Sequence, residues 1–494
     1  MSQAISHEIP DRYDLFINNE WYRSSSNATL EAKSPLTGEV LCTVPDASER
    51  DVIDAVFAAK AAWPAWHRAG PRKRAEAINK LADRLLAEAD RFAWLETANT
   101  GKAWRESKAN ILTAVDRLRY YAGVCRALEG KTINSGNILS FDYREPLGII
   151  GIIGAWNFPI NMFLGKIAPA IAVGNAVIYK PAEPTPITTL EVAKLIAQCL
   201  PPGIVNILTG GGETAGLSIV SHPDIRKISL TGSVQTGRSV MAAAAPSTKQ
   251  LTLELGGKNA QIVFPDADLD RAAQGIMLGA FMNQGQVCTS GSRVFVHFSV
   301  AKQLQEKVLA LIPQLKLGDP FDKSTTMGTM VFEEHLDSVM HYIDIGKSEG
   351  ARLVTGGKRA RIGKYPKALA VEPTIFSDVE CDMVVAREEI FGPVVTFHTW
   401  STEYEMLGSV NLLDFGLAAG IWTENFGRAH RIAQAVEAGR IWINCYNLFP
   451  SGSAFGGTKA SGFGREDAFE TMFAFTQVKN VIADISEKQR SFYQ

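Results

Sequence analysis

Residues 147–180, LGIIGIIGAWNFPINMFLGKIAPAIAVGNAVIYK, decide the fold. LGIIGIIGAW is a short apolar run of strand length. Residues 161–173 carry apolar side chains at helical spacing, and NAVIYK is a second buried strand. The same grammar continues downstream. ITTLEVAKLIAQCL is a helix, PPG a turn and IVNIL a strand. After the Gly-rich turn TGGGETAG come the strand IRKISL, a helix following Gly232 and the strand QLTLEL. Strands alternating with helices of ten to fifteen residues imply a parallel sheet wound with helices on both faces. Such sheets bind ligands beyond the carboxyl ends of their strands.

Outward from this core, a second α/β unit starts near Gly257. It has a helix over 268–282, a strand at Arg293–His297 and a helix over 300–312, and it runs to roughly residue 456. Upstream, residues 48–128 read as helices, with a Ser48 cap and a stop at Gly101. The polar, alternating segment KTINSGNILSFDYREP (131–146) reads as a hairpin, and the tail TQVKNVIADI as a strand. These two can pair with each other or with another subunit.

Composition narrows the function. The 494-residue chain is long enough for two or three domains. It is 46% hydrophobic and 21% charged, which suits an ordinary globular protein. A net charge of −2 offers no basic track for nucleic acid. No apolar run is long enough to span a membrane, and the N-terminus does not read as a secretory signal, so a cytoplasmic protein is expected. The six cysteines form no C-x-x-C pair, so neither a disulfide framework nor a zinc site is expected. His335 and His341 are wrongly spaced for two ligands on one helix face, and no metal is expected.

Five places carry chemistry, each with a plainer alternative. Gly232–Ser233 in TGSVQTG is a phosphate turn at a helix N-terminus, or only a tight turn. Lys180 and Glu183 follow a strand, where they contact a ribose or form a solvated pair. Cys288 in FMNQGQVCTSGSR lies in a polar loop, as a reactive thiol or an inert one. Glu254 ends the strand QLTLEL, as a functional carboxylate or a partner of Lys258. Asn157 in AWNFP donates to an oxyanion or caps the next helix.

The order WNFP (156–159), KPAE (180–183), TGS (231–233), ELGGK (254–258), NQGQVC (283–288), EEIFGP (388–393) and FGG-x-K-x-SG-x-GRE (455–466) resembles the aldehyde dehydrogenase superfamily over almost the whole chain. The resemblance implies a hydrolytic, non-acylating enzyme using NAD, with NADP possible. Cys288 is then the nucleophile, Asn157 the oxyanion donor and Glu254 the general base, while Lys166 and Glu466 lie on a proton path. For the cofactor it implies Trp156, Lys180, Glu183, Gly232, Ser233, Glu389 and Phe391. A carboxylate at Glu183 favours NAD by repelling a 2′-phosphate, and Lys180 blurs the preference.

By the same resemblance the substrate pocket holds Phe158, Asn161, Met162, Gly165, Met282, Val287, Phe449 and Phe455. Gly165 stands where many relatives have a bulky aromatic, which implies a roomier pocket. Ala454 replaces a usual proline before Phe455. An anionic substrate would want an arginine, and no matched position supplies one, so a medium-sized aliphatic or aromatic aldehyde is expected. The implied domains are a cofactor domain (1–123 and 147–256), a catalytic domain (257–456) and a small β oligomerisation element (124–146 and 470–494) of a homodimer or homotetramer. Two rivals are a CoA-acylating dehydrogenase, which Glu254 opposes, and a non-catalytic NAD-binding relative, which the intact Cys288, Glu254 and Asn157 oppose.

Overall fold

The structure, a computed structural model, describes residues 8–487. Five strands from 149–254 pair in parallel in the order Val205–Ile207, Ala176–Lys180, Ile149–Ile153, Ile225–Thr231, Gln250–Glu254. Counted along the chain this order is 3-2-1-4-5. The winding therefore reverses between Ile149–Ile153 and Ile225–Thr231, and the crevice beyond their carboxyl ends is the expected ligand site. Ile150, Ile152, Val177, Ile178, Ile228 and Leu230 are all fully or almost fully buried, as a sheet covered on both faces requires.

The helices Glu49–Arg68, Gly70–Ala87, Ala89–Thr100 and Trp104–Val124 match the expectation for 48–128 up to Val124. Ser48 caps the first through a reciprocal box with Asp51, and Gly101 (φ 72°) ends the third.

Two edges of this sheet were not foreseen. Leu15–Ile17 and Glu20–Tyr22 add an antiparallel hairpin at one edge. Its turn, Asn18–Asn19, has both φ angles positive (56° and 62°), the primed-turn pattern that asparagine tolerates. At the other edge Gly462–Phe463 pairs antiparallel with Leu253–Glu254, so the chain returns to the first sheet after the second one.

The second sheet runs Arg352–Thr355, Thr374–Ser377, Val394–Trp400, Arg293–His297, Ala260–Val263, Ala418–Trp422, Arg440–Ile443, parallel except for the first. The helices Leu269–Phe281 and Ala301–Leu311 stand within a residue of their expected limits.

Thr476–Asp484 pairs with Ile138–Pro146 along nine residues, and Ile138–Phe141 with Thr132–Ser135. The hairpin and the tail thus pair with each other. Residues 488–494 of the expected tail element lie outside the described residues. Among those described, no helix is long and apolar enough to cross a membrane.

Candidate active site

At the reversal point the two central strands release their chains into one cavity of about 820 Å³. Trp156 and Asn157 follow the strand Ile149–Ile153, and Lys180 ends its neighbour. Gly232 and Ser233 follow Ile225–Thr231, and all five line the cavity. Glu183, Met162, Cys288, Glu389 and Phe391 join the lining, with Cys288, Glu389 and Phe391 brought from the second unit. The structure therefore assembles ten of the expected site residues around one space. Phe158, Lys166, Glu254, Val287, Phe449, Phe455 and Glu466 stand outside that lining.

The polar rim is ordinary. The Ser233 hydroxyl accepts the Thr236 N–H, capping the helix Val234–Ala244. Glu183 accepts the Gly212 N–H at 2.9 Å and lies 4.0 Å from the Lys180 ammonium. Asp46, which the sequence did not flag, accepts from Gly211 N–H and the Thr214 hydroxyl. Trp156 meets Phe332, Phe391 and His335 at centroid distances of 5.3, 5.1 and 5.0 Å. His335 bonds the Phe391 carbonyl at 2.8 Å through Nε2, and burial lowers its pKa. Neither Phe332 nor His335 had a motif to betray it.

The loop that carries Cys288 is not ordinary. After the helix Leu269–Phe281, three successive residues take left-handed backbone: Asn283 (φ 48°), Gln284 (φ 57°) and Gly285 (φ 71°). For non-glycine residues this costs about 1–2 kcal/mol each, and hydrogen bonds hold it. Glu106, on the helix Trp104–Val124, accepts the Asn283 N–H at 3.2 Å. Asn283 Nδ2 donates to the Asn157 and Gln286 carbonyls, and Val331 N–H donates to Gln286 Oε1. Asn259 ties down the far side, donating to the Cys288 and Ser290 carbonyls at 2.8 and 2.9 Å.

Asn157 does not cap the helix Pro159–Ala172. Its Nδ2 donates to the Gln286 carbonyl at 2.9 Å, which aligns the side chain with the cysteine loop, and its Oδ1 is buried without a partner. The Cys288 N–H has no backbone acceptor among the described residues. Asn157 and Cys288 line the same cavity, and the bond to Gln286 leaves the Asn157 amide a second N–H.

Burial dominates the electrostatics here. It pushes the Cys288 thiol up to about 12, with Glu389 and Glu254 adding to the rise. Glu254 is 3% exposed, and neither carboxylate oxygen finds a hydrogen bond. Burial and the neighbouring Glu466 hold its pKa well above the usual carboxylate range, against the pull of Lys166. The Lys258 alternative fails, because no ion pair to Glu254 is present among the described residues. Lys258 instead feels Glu389 and Glu388, and burial brings it down to about 7. Glu389 accepts the Gly257 N–H at 2.9 Å, and burial lifts it to about 7. Gly256 permits this approach, since a Cβ there would stand 2.1 Å from Glu389 Oε2. Lys166 pairs with Glu466, and Ser229 bridges them, accepting from Lys166 at 3.1 Å and donating to Glu466 at 3.3 Å.

Of the residues expected in the substrate pocket, Phe449 and Phe455 meet edge to face at 5.6 Å, and Lys102 lies 4.3 Å from the Phe158 ring centroid. Two expectations fail. Gly165 does not leave open room: a Cβ there would lie 3.1 Å from Arg117 Nη1 and 3.5 Å from its Cδ. Nor is the region without arginine. Arg117 reaches it from the helix Trp104–Val124, a segment outside every motif, so no matched position revealed it.

The aldehyde dehydrogenase family profile matches residues 21–481. An NAD+ complex of aldehyde dehydrogenase from Bacillus cereus is 39% identical, with a TM-score of 0.94 over 96% of this chain and 97% of that one. PnpE from Pseudomonas sp. WBC-3 is 37% identical, with a TM-score of 0.95 over 98% and 99%. Betaine aldehyde dehydrogenase from Staphylococcus aureus, in complex with NAD+, is 32% identical, with a TM-score of 0.94 over 98% and 97%. With a profile spanning nearly all of its length and a fold shared end to end with these enzymes, the chain belongs to the aldehyde dehydrogenase family and is an oxidoreductase of that type.

Proposed function

We propose that this protein oxidises a medium-sized aldehyde to the carboxylic acid with NAD, through a thioester on Cys288. The observation that carries the reading is the single cavity lined both by Lys180, Glu183 and Ser233 and by Cys288 and Asn157. Its size falls in the ~300–1,000 Å³ range of cofactor sites. The donor set suits a dinucleotide. Glu183 and Lys180 would take the adenosine ribose, Ser233 and the helix N-terminus the pyrophosphate, and Glu389 with Phe391 the nicotinamide ribose. The negative charge of Glu183 favours NAD over NADP, and the NAD+ complexes of the two relatives agree with that choice.

The chain's own groups do the rest. The Cys288 thiol gives its proton to solvent water, the thiolate Sγ adds to the aldehyde carbon as the C=O π bond opens, and Asn157 Nδ2–H with the Cys288 N–H donates to the resulting oxyanion. Each such donor is worth roughly 3–4 kcal/mol of barrier. Bound NAD supplies the acceptor for the hydride that leaves this adduct. Glu254, free of hydrogen bonds, takes a proton from the water that attacks the thioester, and Glu466 with Lys166 and Ser229 passes it on. Phe158, Phe449 and Phe455 flank the apolar body of the substrate, with Met162 and Val287 beside the reacting end.

The first sheet serves the cofactor and the second presents the nucleophile. The exposed Ile133, Val478 and Ile482 of the three-stranded sheet form a face for a second subunit. Incubation with NAD and an aldehyde panel should raise the reduced-nicotinamide absorbance with release of free acid. Cys288→Ala should abolish this while still binding NAD. Substantial turnover by the alanine variant would sink the covalent route.

A further inference from the structure

The adjacent strands Ile225–Thr231 and Gln250–Glu254 pair in parallel, with Lys227 opposite Gln250, Ser229 opposite Thr252 and Thr231 opposite Glu254. Side chains two apart on a strand share a face, so these six project from one side of the sheet. Ile228, Leu230, Leu251 and Leu253 take the other side. A parallel sheet covered on both faces is normally apolar on both, yet here one face carries an unbroken polar stripe. Lys227, Ser229, Thr252 and Glu254 are each at most 4% exposed, and burying such groups is costly unless they are bonded.

The stripe holds two hydrogen-bonded groups. Nearer Glu254, Ser229 joins Lys166 and Glu466. Below it, Lys227 Nζ donates to Thr252 Oγ1 at 2.8 Å and stands 5.6 Å from the Phe475 ring centroid. The register sets Ser229 beside Thr252, one strand spacing of about 4.8 Å away, so the two groups adjoin. The charged groups that face Lys227 are Glu466 and Lys166. Burial, aided by Lys166 and opposed by Glu466, brings its pKa down to about 8, where an amine gains and loses a proton near neutral pH. At its lower end the stripe meets a second cavity of about 650 Å³, at the opposite end of these strands from the reaction cavity. Arg226 and Gln250, the neighbours of Lys227 along and across the sheet, line it with Glu145, Gln477 and Lys479.

We propose that Lys227 carries the proton released by thioester hydrolysis along this stripe, from Glu466 to the second cavity, and so restores Glu254 for the next turnover. This rests on the dehydrogenase reading and names the exit of its proton path. In each cycle the water oxygen bonds to the thioester carbon, the C–S bond breaks, and the carboxylic acid and Cys288 thiolate separate. The proton that water loses passes to Glu254 and on to the Glu466 carboxylate. The neutral Lys227 amine takes it through the Ser229 and Thr252 hydroxyls and becomes an ammonium. It returns to the amine by yielding that proton to water or buffer in the second cavity.

The test follows turnover of n-hexanal at saturating NAD and neutral pH in dilute buffer, with hexanoate from the first turnover read by rapid quench. Lys227→Met should leave the first turnover unchanged, since Glu466 can hold one proton. Later turnovers should slow about tenfold, less than the roughly 10²–10⁴-fold of a direct general base. Added imidazole should restore them in a concentration-dependent way and leave the wild type unchanged. Lys227→Arg keeps the charge and a donor to Thr252 but cannot release a proton. It should be slow in the same way and be restored by the same imidazole. If Lys227→Met fails to fold, Lys227→Arg carries the test alone.

Either variant at the wild-type rate overturns the proposal. So does a variant slowed equally in its first turnover, or one that imidazole does not restore, since both mark a purely structural lysine. A wild type that reduces no NAD with hexanal or any other aldehyde of a panel would instead overturn the dehydrogenase reading itself.

Discussion

At the Lys180–Glu183 pair a half-exposed carboxylate stands at the rim over a buried ammonium whose pKa burial lowers, whereas around Cys288 burial holds the thiol and the Glu254 carboxyl away from their usual protonation. Glu183 is 47% exposed at its side chain and has a backbone N–H to accept. Glu254 is buried with nothing to accept. In the proposed reaction the rim would take a polar ligand, and there the contact to the half-exposed Glu183 is screened and worth little. The interior would carry the chemistry, since an unpartnered carboxylate such as Glu254 is a strong base when nothing has already stabilised its charge.

The comparison is broken most directly at Glu254. Glu254→Gln keeps the shape and removes the proton acceptor. Turnover should fall by about 10²–10⁴-fold, the range of general-base contributions. A stoichiometric burst of reduced nicotinamide should survive in rapid-mixing experiments, since the thioester still forms. Loss of the burst together with turnover would place Glu254 in thiol activation as well.

The second test uses pH. Burial raises Cys288 to about 12 and holds Glu254 above its ordinary range, so both gain their reactive, deprotonated forms as pH rises. In the absence of cofactor, alkylation of Cys288 by iodoacetamide should accelerate about tenfold per unit between pH 6 and 9, since only the thiolate reacts. A plateau with its midpoint below pH 8 would show that the thiol is held ionised.

The legible and illegible parts of the sequence divide along physical lines. The five parallel strands announce themselves because both faces are buried and every position between 149 and 153 is Ile or Gly. Asn157, Cys288 and Glu254 lie in motifs whose resemblance to the aldehyde dehydrogenase family is what singled them out together. Arg117, Glu106 and Asn259 act by packing across long sequence separations, which neither periodicity nor spacing encodes. Arg117 meets Asp467 350 residues away. Gly165 was read as empty space because the sequence shows only what a residue lacks, and the structure shows what moved in.

Glu106 gives a smaller effect than Glu254, since it acts through the loop. Its carboxyl is raised to about 7 by burial, while Lys102, the Asn283 N–H and Arg105 pull it down. Glu106→Ala leaves the Asn283 N–H without its acceptor, at a cost of about 1–3 kcal/mol for a buried donor. The left-handed turn before Cys288 should then loosen, lowering kcat about tenfold together with the alkylation rate. Glu106→Gln retains an acceptor oxygen and should recover most of both. An alanine variant with wild-type kcat would show that Asn259 and Gln286 suffice to hold the loop.

The smallest expected change is at the rim. Glu183→Ser removes the charge that would oppose a 2′-phosphate but leaves a hydroxyl for the ribose. Lys180, 4.0 Å away, then has no carboxylate competing for it at that distance. The NAD-to-NADP ratio of kcat/KM should fall by about tenfold, roughly 1.4 kcal/mol, with kcat on NAD little altered because no reacting atom is touched. A large loss of kcat on NAD would mean that rim and interior are coupled through the Gly211–Gly212 turn, where Glu183 and Asp46 both accept backbone N–H groups. The separation between recognition at the rim and chemistry in the interior would then fail at that turn.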